Sequence, residues 1–466
     1  MNYYTKMKSN IIFNSAAVAL AVFLTTSCGI YKKYETPTDT ALTKAYVEAR
    51  QETQGDTASF GNLRWEEVFT DPVLVDYINR ALANNLTLDD ARLNVELART
   101  QLKGAKLAFF PSVALSPNGA GASYAGSSMS WTYQIPMTVS WEIDIFGKLL
   151  NSKRSAQVSV ESSEYYAQAV RSQIISAVAN TYYAIASVES QLALSRNTAQ
   201  LWQKSVQTMQ DLFDAGHTNK AAVVQFDANY QSVLASITDL EVTRVKLNNT
   251  MSILLGTMPQ ECPVSADATL AVPDMLIPGV PMYYLANRPD VNAAERGLAS
   301  AYYATSSARA AFYPGLTITA NGGFTNLLGS IIKNPGDWFV QLAGSLAAPL
   351  FARGQNIARL EAAKINQLKA MNTFESTVLS AASEVSEALT VYEKSGERSV
   401  YLSKQIADLE ESVDITNDLL VYSNGTYLEV LTAQQSLLQA QMNLLACQLT
   451  RAQAVINLYQ SMGGGR

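Results

Sequence analysis

One stretch decides the fold: WTYQIPMTVSWEIDI, at residues 131–145. Its odd positions are all apolar, namely Trp131, Tyr133, Ile135, Met137, Val139, Trp141, Ile143 and Ile145. Every even position except Pro136 is polar. Because side chains alternate across a strand, this pattern predicts a strand with one apolar and one polar face. Such a strand suits a half-buried soluble sheet, and it also suits a membrane barrel, in which aromatic residues border an apolar band.

The composition excludes several classes of function. The chain has 466 residues and a formal net charge of −6, and 16% of its residues are charged, against about 25% in an average soluble protein. No cluster of Lys and Arg stands out along the sequence, so we expect no nucleic-acid partner. One His and three Cys argue against a metal site or a His-based catalytic triad, and we predict no cofactor. His217 lies in DAGHTN and is predicted to be an exposed loop residue.

The N-terminus has the features of an export signal. Lys6 and Lys8 precede a mostly apolar run over residues 11–24, which is too short for a comfortable transmembrane helix. Small residues then lead to Cys28, as at a bacterial lipoprotein processing site. We therefore predict a signal peptide over 1–27 and a lipid anchor at Cys28, with plain secretion as the alternative. Residues 28–64 are predicted to be extended.

The two remaining cysteines are predicted to be unpaired. Cys262 lies in a proline-rich connector and Cys447 lies within a helix. Because Cys447 is about 24 Å of helix away from the end of its half of the chain, a bridge between the two thiols is disfavoured.

The chain contains two copies of one layout. Matching features recur about 200 positions apart: AFFP at 108–111 with AFYP at 311–314, Asn84 with Asn287, and Gly256 with Gly463. We predict repeats over 65–258 and 281–466, joined by a linker over 259–280. Each repeat is expected to contain a helix, two strands (about 111–145 and 314–350) and two further helices. Asp71-Pro72 is predicted to start a helix that continues to about Lys106, and Gly119, Gly121 and Gly126 to form a hairpin tip.

Two segments are predicted to be very long helices. No Pro occurs from 148 to 215 or from 355 to 422, and apolar residues recur there at steps of three, four or seven. Uninterrupted helices of that length would each reach about 100 Å, which favours a helical tube or bundle over an ordinary globular core. Gly216 and Gly425 are predicted to end these helices and to allow the chain to reverse.

Four such strands cannot close a barrel alone. An open sheet edge in hydrocarbon leaves backbone groups unsatisfied, at several kcal/mol each. Two copies would give eight strands with little lumen, and three would give twelve strands around an aqueous bore. Since the inward faces are polar, we favour a trimer over a dimer.

Several motifs occur in one order along the mature chain: Cys28 with YETP at 34–37, Trp65 with FTDP at 69–72, NRPDV at 287–291, ARAAFYP at 308–314, APLF at 348–351, and YSNGTYLEVL at 422–431. In these motifs the chain resembles the TolC-type outer-membrane efflux proteins, particularly their lipoprotein branch found with multidrug pumps. The resemblance implies an α+β membrane protein. It would be a homotrimer whose twelve-stranded outer-membrane β-barrel, with four strands per chain, continues as a long periplasmic α-helical barrel.

The resemblance also implies partners. They are a periplasmic adaptor (membrane fusion) protein, an inner-membrane pump of the RND type, and outer-membrane lipid around an apolar strand face formed by Trp131, Tyr133, Ile135, Met137, Val139 and Trp141. Small molecules would pass outward without chemical change. The alternative within the family is the exit duct of a type I protein secretion system. An enzyme is disfavoured because His217 has no catalytic partner nearby in sequence, and a helical fibre leaves the strands unexplained.

The resemblance further implies roles for residues at the helical tips. Glu429 and Thr432 match positions that narrow the tunnel end, and Tyr422 matches a locking tyrosine. Its usual aspartate partner corresponds to Ala222, so this lock is in doubt. Adaptor docking is implied for the two tip turns, Gly216, His217 and Thr218 in the first and Asn424, Gly425 and Thr426 in the second.

Overall fold

The structure is a computed structural model of the chain. It describes residues 31–52, 60–123, 126, 128–265, 283–325, 337–349, 351, 353–422 and 426–465.

Helices dominate the described residues. In chain order they are α1 Ala41–Glu52, α2 Trp65–Val68, α3 Pro72–Asn84, α4 Leu86–Leu107, α5 Lys148–Asp214, α6 Lys220–Leu254, α7 Tyr283–Ala286, α8 Pro289–Ala310, α9 Gln355–Tyr422 and α10 Tyr427–Ser461. The strands are β1 Ser112–Leu115, β2 Asn118–Ala122, β3 Ser130–Ile143, β4 Gly315–Thr325 and β5 Asp337–Ala347. The unbroken helices α5 and α9, with 67 and 68 residues, confirm the two predicted long helices.

Three local predictions were wrong. Residues 31–40 are irregular, but the predicted extended segment over 28–64 contains helix α1, and Ala49 on it is buried. Gly119 and Gly121 lie within strand β2 and not at a hairpin tip. The predicted helix from Asp71 to about Lys106 is two helices, because Asn85 leaves the helical conformation at ψ 121°. Its side-chain Oδ1 accepts hydrogen bonds from the amides of Thr87 and Leu88 and so caps α4.

The strands form one antiparallel sheet in the order β1–β3–β4–β5, with β2 also paired to β3. The pairing register continues unchanged from β1 to β2, so they are two pieces of one edge strand. The interruption lies where Ser116 faces Pro136. Ser116 donates its amide to the Pro136 carbonyl at 3.1 Å, and Pro136 has no N–H to return the bond.

The chain divides into two compact units. The first contains 1–40, 94–164 and 293–375, and therefore the whole sheet; the second contains 41–93, 165–292 and 376–466. In the first unit the helices meet through small polar side chains. Ser300 on α8 lies 2.9 Å from both Ser155 and Ser159 on α5, counted between hydroxyl oxygens. Such short side chains allow close helix packing while every hydroxyl keeps a partner.

In the second unit, Asp71 ties the linker to two helices. Its carboxylate caps α3 and accepts hydrogen bonds from Tyr182 Oη at 2.7 Å and Ser265 Oγ at 3.0 Å. Burial raises the pKa of this carboxyl, but these hydrogen bonds outweigh it and hold the pKa below its usual value. Burial also raises the pKa of Tyr77 to about 12, so its hydroxyl stays protonated and donates to the Pro263 carbonyl at 2.9 Å. The start of the linker is therefore fixed in place.

The same joint occurs in both halves of the chain. Asn85 Nδ2 donates to the carbonyl of Leu254 at 2.9 Å. Arg288 Nη1 donates to the carbonyl of Ser461, which lies 207 positions after Leu254, at 3.1 Å. Arg288 is 7% exposed and also pairs with Asp290 at 2.6 Å and Glu384 at 2.7 Å. Burial lowers the pKa of this guanidinium, but its two carboxylate partners raise it above the ordinary value. In each half, the junction between two helices, α3–α4 or α7–α8, is thereby held to the end of the last helix.

The two thiols inside the described region are free and buried. Neither Cys262 nor Cys447 is in a disulfide, which confirms the prediction of unpaired cysteines.

Glycine is required where α6 and α10 end. Gly256 (φ +65°) and Gly463 (φ +85°) adopt the left-handed conformation, and each helix ends in paired hydrogen bonds of the Schellman type. A Cβ on Gly256 would lie 2.5 Å from the carbonyl oxygen of Asn84, and one on Gly463 would lie 3.2 Å from that of Asn287. Backbone therefore passes directly against both glycines.

We predict graded effects of alanine at these positions. A residue other than glycine costs ~1–2 kcal/mol in the left-handed conformation. G256A should lower the free energy of unfolding by more than this, because the added methyl group also contacts backbone atoms. G463A should cost less than G256A. The matched control is G104A, inside α4 with open space around it, which should be neutral or stabilising by up to about 1 kcal/mol. Thermal unfolding of the purified protein measures all three, and equal midpoints would contradict the prediction.

Candidate functional site

The sheet has one continuous apolar face. The pairing register brings Trp141 beside Ile318 and Ile135 beside Phe324, and Phe324 in turn beside Trp338. This face carries Val113, Leu115, Trp131, Tyr133, Ile135, Met137, Val139, Trp141, Ile143, Leu316, Ile318, Phe324, Trp338, Val340, Leu342 and Leu346. Many of these side chains are exposed, with Trp131 at 58% and Trp338 at 76%. An exposed apolar face of this extent indicates contact with lipid or another protein.

The opposite face is polar and nearly uncharged. It carries Ser112, Thr132, Gln134, Thr138, Ser140, Glu142, Thr317, Thr319, Asn321, Gln341 and Ser345, and the register also places Phe339 and Asp337 on it. Glu142 pairs with Lys148 Nζ at 2.9 Å. Such a face suits contact with water.

Both edges of the sheet are open within the described residues. The β1–β2 edge and β5 each pair on one side only. Edge strands present free N–H and C=O groups, which readily pair with another chain.

At the C-terminal end of α5 the chain reverses through a glycine turn. Gly216 has φ +76°, as predicted, and the amide of His217 donates to the Leu212 carbonyl at 2.8 Å. His217 is exposed, as predicted, and Thr218 is half-buried. Asn219 then caps α6 by accepting a hydrogen bond from the Ala222 amide at 3.1 Å.

A hydrophobic cluster holds this first helical hairpin to the second. Its buried members, called here the tip cluster, are Ala199, Trp202 and Met209 on α5, Ala222, Phe226 and Val233 on α6, and Val430 and Leu431 on α10. The rings of Trp202 and Phe226 lie 5.5 Å apart between centroids. Gln435 on α10 also donates a hydrogen bond to Asn229 on α6. Periodicity along the chain did not predict this cluster, although Trp202 on an otherwise Gln-, Ser- and Thr-rich helix was a signal for it.

The predicted gate residues differ in how exposed they are and in where they lie on the helices. Glu429 and Thr432 are exposed and lie three residues apart at the start of α10, hence on one helix face. Ala222, the position of the absent lock partner, is fully buried in the tip cluster. Tyr422 is the last residue of α9.

The other predicted positions are in part outside the described residues. Thr426 is exposed and is the N-cap residue of α10. Asn424, Gly425 and Cys28 all lie outside the described residues.

Two further findings come from the part of the chain that the structure describes. It contains no group of three His, Cys, Asp or Glu side chains arranged to hold a metal ion. None of its helices combines the length and apolar character needed to cross a bilayer.

Comparison with known proteins gives one consistent family. The model of the outer membrane efflux protein family matches residues 77–257 and 281–464. The probable outer membrane lipoprotein SilC of Salmonella typhimurium is 28% identical, covering 87% of this chain and 89% of its own length. The toluene efflux pump outer membrane protein TtgC of Pseudomonas putida is 26% identical, covering 96% and 95%.

A solved structure extends this comparison to the fold. The cation efflux system protein CusC of Escherichia coli is 26% identical, covering 96% of this chain and 98% of its own. A crystal structure of CusC superposes with a TM-score of 0.80, covering 86% of this chain and 95% of that one.

The burial of Ala222 yields a prediction. A222D should place a carboxylate in the tip cluster and destabilise the hairpin locally by about 3 kcal/mol. Hydrogen exchange of the amides between Ala199 and Val233 should then accelerate strongly. The control is V224D, two residues away, where the side chain is exposed and an acid near the helix start is favourable. If A222D and V224D exchanged alike, the cluster would not hold the hairpin.

Proposed function

This chain belongs to the outer membrane efflux protein family, and on that premise we propose that three copies close into a twelve-stranded barrel continued by a helical tunnel. The chain is an outer-membrane channel subunit of a tripartite efflux system, and its relatives favour efflux over the secretion alternative. The sheet is the observation that supports the trimer. It has four strand positions, it is open at both edges, and it has one exposed apolar face and one polar face. Closure would pair every edge and enclose the polar face.

The dimensions of the apolar face support a membrane-spanning barrel. Trp131 and Trp141 lie ten residues apart on β3, which is about 34 Å along a strand. A strand tilted by about 45° then covers roughly 24 Å of membrane, close to the apolar band of about 25 Å in outer-membrane barrels. Aromatic residues stand at both ends of this band, as at a membrane interface.

We propose that the helical tips face a periplasmic adaptor and a pump of the RND type. The exposed turn at His217 and the exposed start of α10 at Thr426 offer the contact surface. Three copies of Glu429 would ring the tunnel axis and favour cations. On a single chain Glu429 also suits the positive end of α10, where an acid is stabilised.

We propose that the pump selects the cargo. The relatives are named for different cargoes: TtgC for toluene efflux and CusC for cation efflux. SilC is named only as an outer membrane lipoprotein. The polar face of this sheet offers mostly hydroxyl and amide groups, and its carboxylate Glu142 is paired with Lys148. Such a lining has no strong preference for any of these chemical classes.

We also propose that the halves 65–258 and 281–466 are two copies of one repeat. The matched contacts of Asn84 with Gly256 and of Asn287 with Gly463 support this. Residues 1–27 form a signal peptide and 28–64 a lead-in segment, with 259–280 as the linker between the copies.

We propose that Cys28 carries a diacylglyceryl anchor in the outer membrane. The small residues before Cys28 support this, and a relative, SilC, is named a lipoprotein. C28A should abolish incorporation of labelled palmitate in cells. The control is C262A, which removes a buried thiol and should leave labelling intact. Persistent labelling of C28A would place the lipid elsewhere.

Planar bilayers test the channel and its gate. The purified protein should have the mass of a trimer in detergent and give stable conductance. E429K should lower the cation-to-anion permeability ratio by at least about twofold, because it reverses three charges around one axis. The control is E387Q, which removes an exposed carboxylate from the middle of α9. An unchanged reversal potential in E429K would show that Glu429 does not set ion selectivity. A monomer without conductance would contradict the proposed channel itself.

A further inference from the structure

All strand ends nearest the long helices meet at one end of the sheet. The register pairs Ser112 with Ser140 and Ile143 with Leu316, and Gly315 with Ala347. The starts of β1 and β4 and the ends of β3 and β5 therefore form one edge, called here the helix-proximal rim. It lies wholly within the first compact unit.

Basic side chains border this rim. They are Lys106, Lys153, Arg154, Arg309 and Arg353, called here the basic rim, and within the described residues none of them forms an ion pair with a carboxylate. Lys153 Nζ lies 5.9 Å from the ring centroid of Phe109, and Arg154 Nη1 donates to the Tyr31 carbonyl at 3.3 Å. The rim is thus positive in a chain whose net charge is −6.

The acidic side chains at the rim are already occupied. Glu142 pairs with Lys148 at 2.9 Å, and the Asp144 carboxylate accepts the Leu150 amide at 2.7 Å at the start of α5. Neither long helix has an acidic residue in its first turn. The positive ends of the dipoles of α5 and α9 therefore add to the charge of the basic rim.

An exposed aromatic and apolar border adjoins the same charges. Trp141 donates its indole N–H to the carbonyl of Phe109 at 2.9 Å, so its ring stays on the apolar face at the rim. Phe110, Ile145 and Phe351 are also exposed there. The apolar band, the aromatic border and the basic side chains thus follow one another along the strands. This is the order in which a lipid presents its acyl chains, its interfacial region and its headgroup.

The other two connections between strands carry little charge in sequence. Residues 116–130 include no Asp, Glu, Lys or Arg, and Lys333 is the one charged residue in 326–336. The basic residues that the structure describes next to the strands are therefore concentrated at the helix-proximal rim.

We propose that the helix-proximal rim binds the headgroups of anionic phospholipids in the leaflet it meets. This inference rests on the proposed membrane barrel and adds its lipid partner. The acyl chains lie along the apolar face. Headgroup phosphates contact the basic side chains near each edge of the sheet, with Lys106 and Lys153 beside β1 and Arg353 after β5. Each basic residue near an anionic membrane surface strengthens binding several-fold.

The test compares the full-length protein with three variants in nanodiscs that contain equal amounts of phosphatidylcholine and phosphatidylglycerol. The first variant is K106Q/K153Q/R353Q. The second, K106R/K153R/R353K, preserves the charges. The third, K204Q/K246Q/K404Q, removes the same charge from exposed helical lysines of the second unit. Lipid retained after detergent washing is quantified by mass spectrometry.

We expect phosphatidylglycerol to be enriched on the wild type, the charge-preserving variant and the third variant, and to be about tenfold less enriched on K106Q/K153Q/R353Q. Equal enrichment on all four proteins would overturn the proposal, as would an equal loss on the third variant. Displacement by inorganic phosphate would also overturn it, since the site would then take free anions.

Conductance in phosphatidylcholine bilayers separates this inference from the proposed function. A conducting wild type without phosphatidylglycerol enrichment contradicts the rim site alone. A wild type that does not conduct contradicts the channel.

Discussion

The need to pair every backbone group of a sheet in an apolar medium governs this protein. Four strand positions expose apolar side chains on one face and leave hydrogen-bonding groups free at both edges. In water either feature would favour aggregation, and in hydrocarbon each unpaired group costs several kcal/mol. In the proposed trimer, association of identical chains would remove both costs together. The break opposite Pro136 shows the sheet tolerating one lost bond while keeping its register across it.

Long helices need fixed ends, and this chain supplies them with the same chemistry twice. A left-handed glycine lets the last helix of each half stop against backbone at Asn84, the end of α3, or at Asn287, between α7 and α8. The next residue, Asn85 or Arg288, then donates from its side chain to a carbonyl at the end of the last helix. Arg288 is a buried charge with two carboxylate partners, so removing both carboxylates would leave its charge uncompensated.

The tips combine a firm core with polar surfaces. Trp202, Phe226 and Leu431 pack across two hairpins, while Glu429 and His217 remain in contact with solvent. Because Ala222 contributes its methyl group to this core, a charged lock at that position is incompatible with the packing. The two hairpins are held instead by apolar contact and by the hydrogen bond between Gln435 and Asn229.

The sequence alone determined whatever depends on neighbours along the chain. Strict alternation over 131–143 specified a two-faced strand, proline-free periodicity specified α5 and α9, and Gly216 specified a helix end. Tertiary structure decided the rest, because the deciding partners are far apart in sequence. Asn85 ends α3 and caps α4, although the apolar periodicity continues, and it donates to a carbonyl 169 positions away. Arg288 pairs with Glu384, which lies 96 positions away. Periodicity does not predict such partners, because it indicates which face of a helix or strand is apolar but not which residues that face packs against.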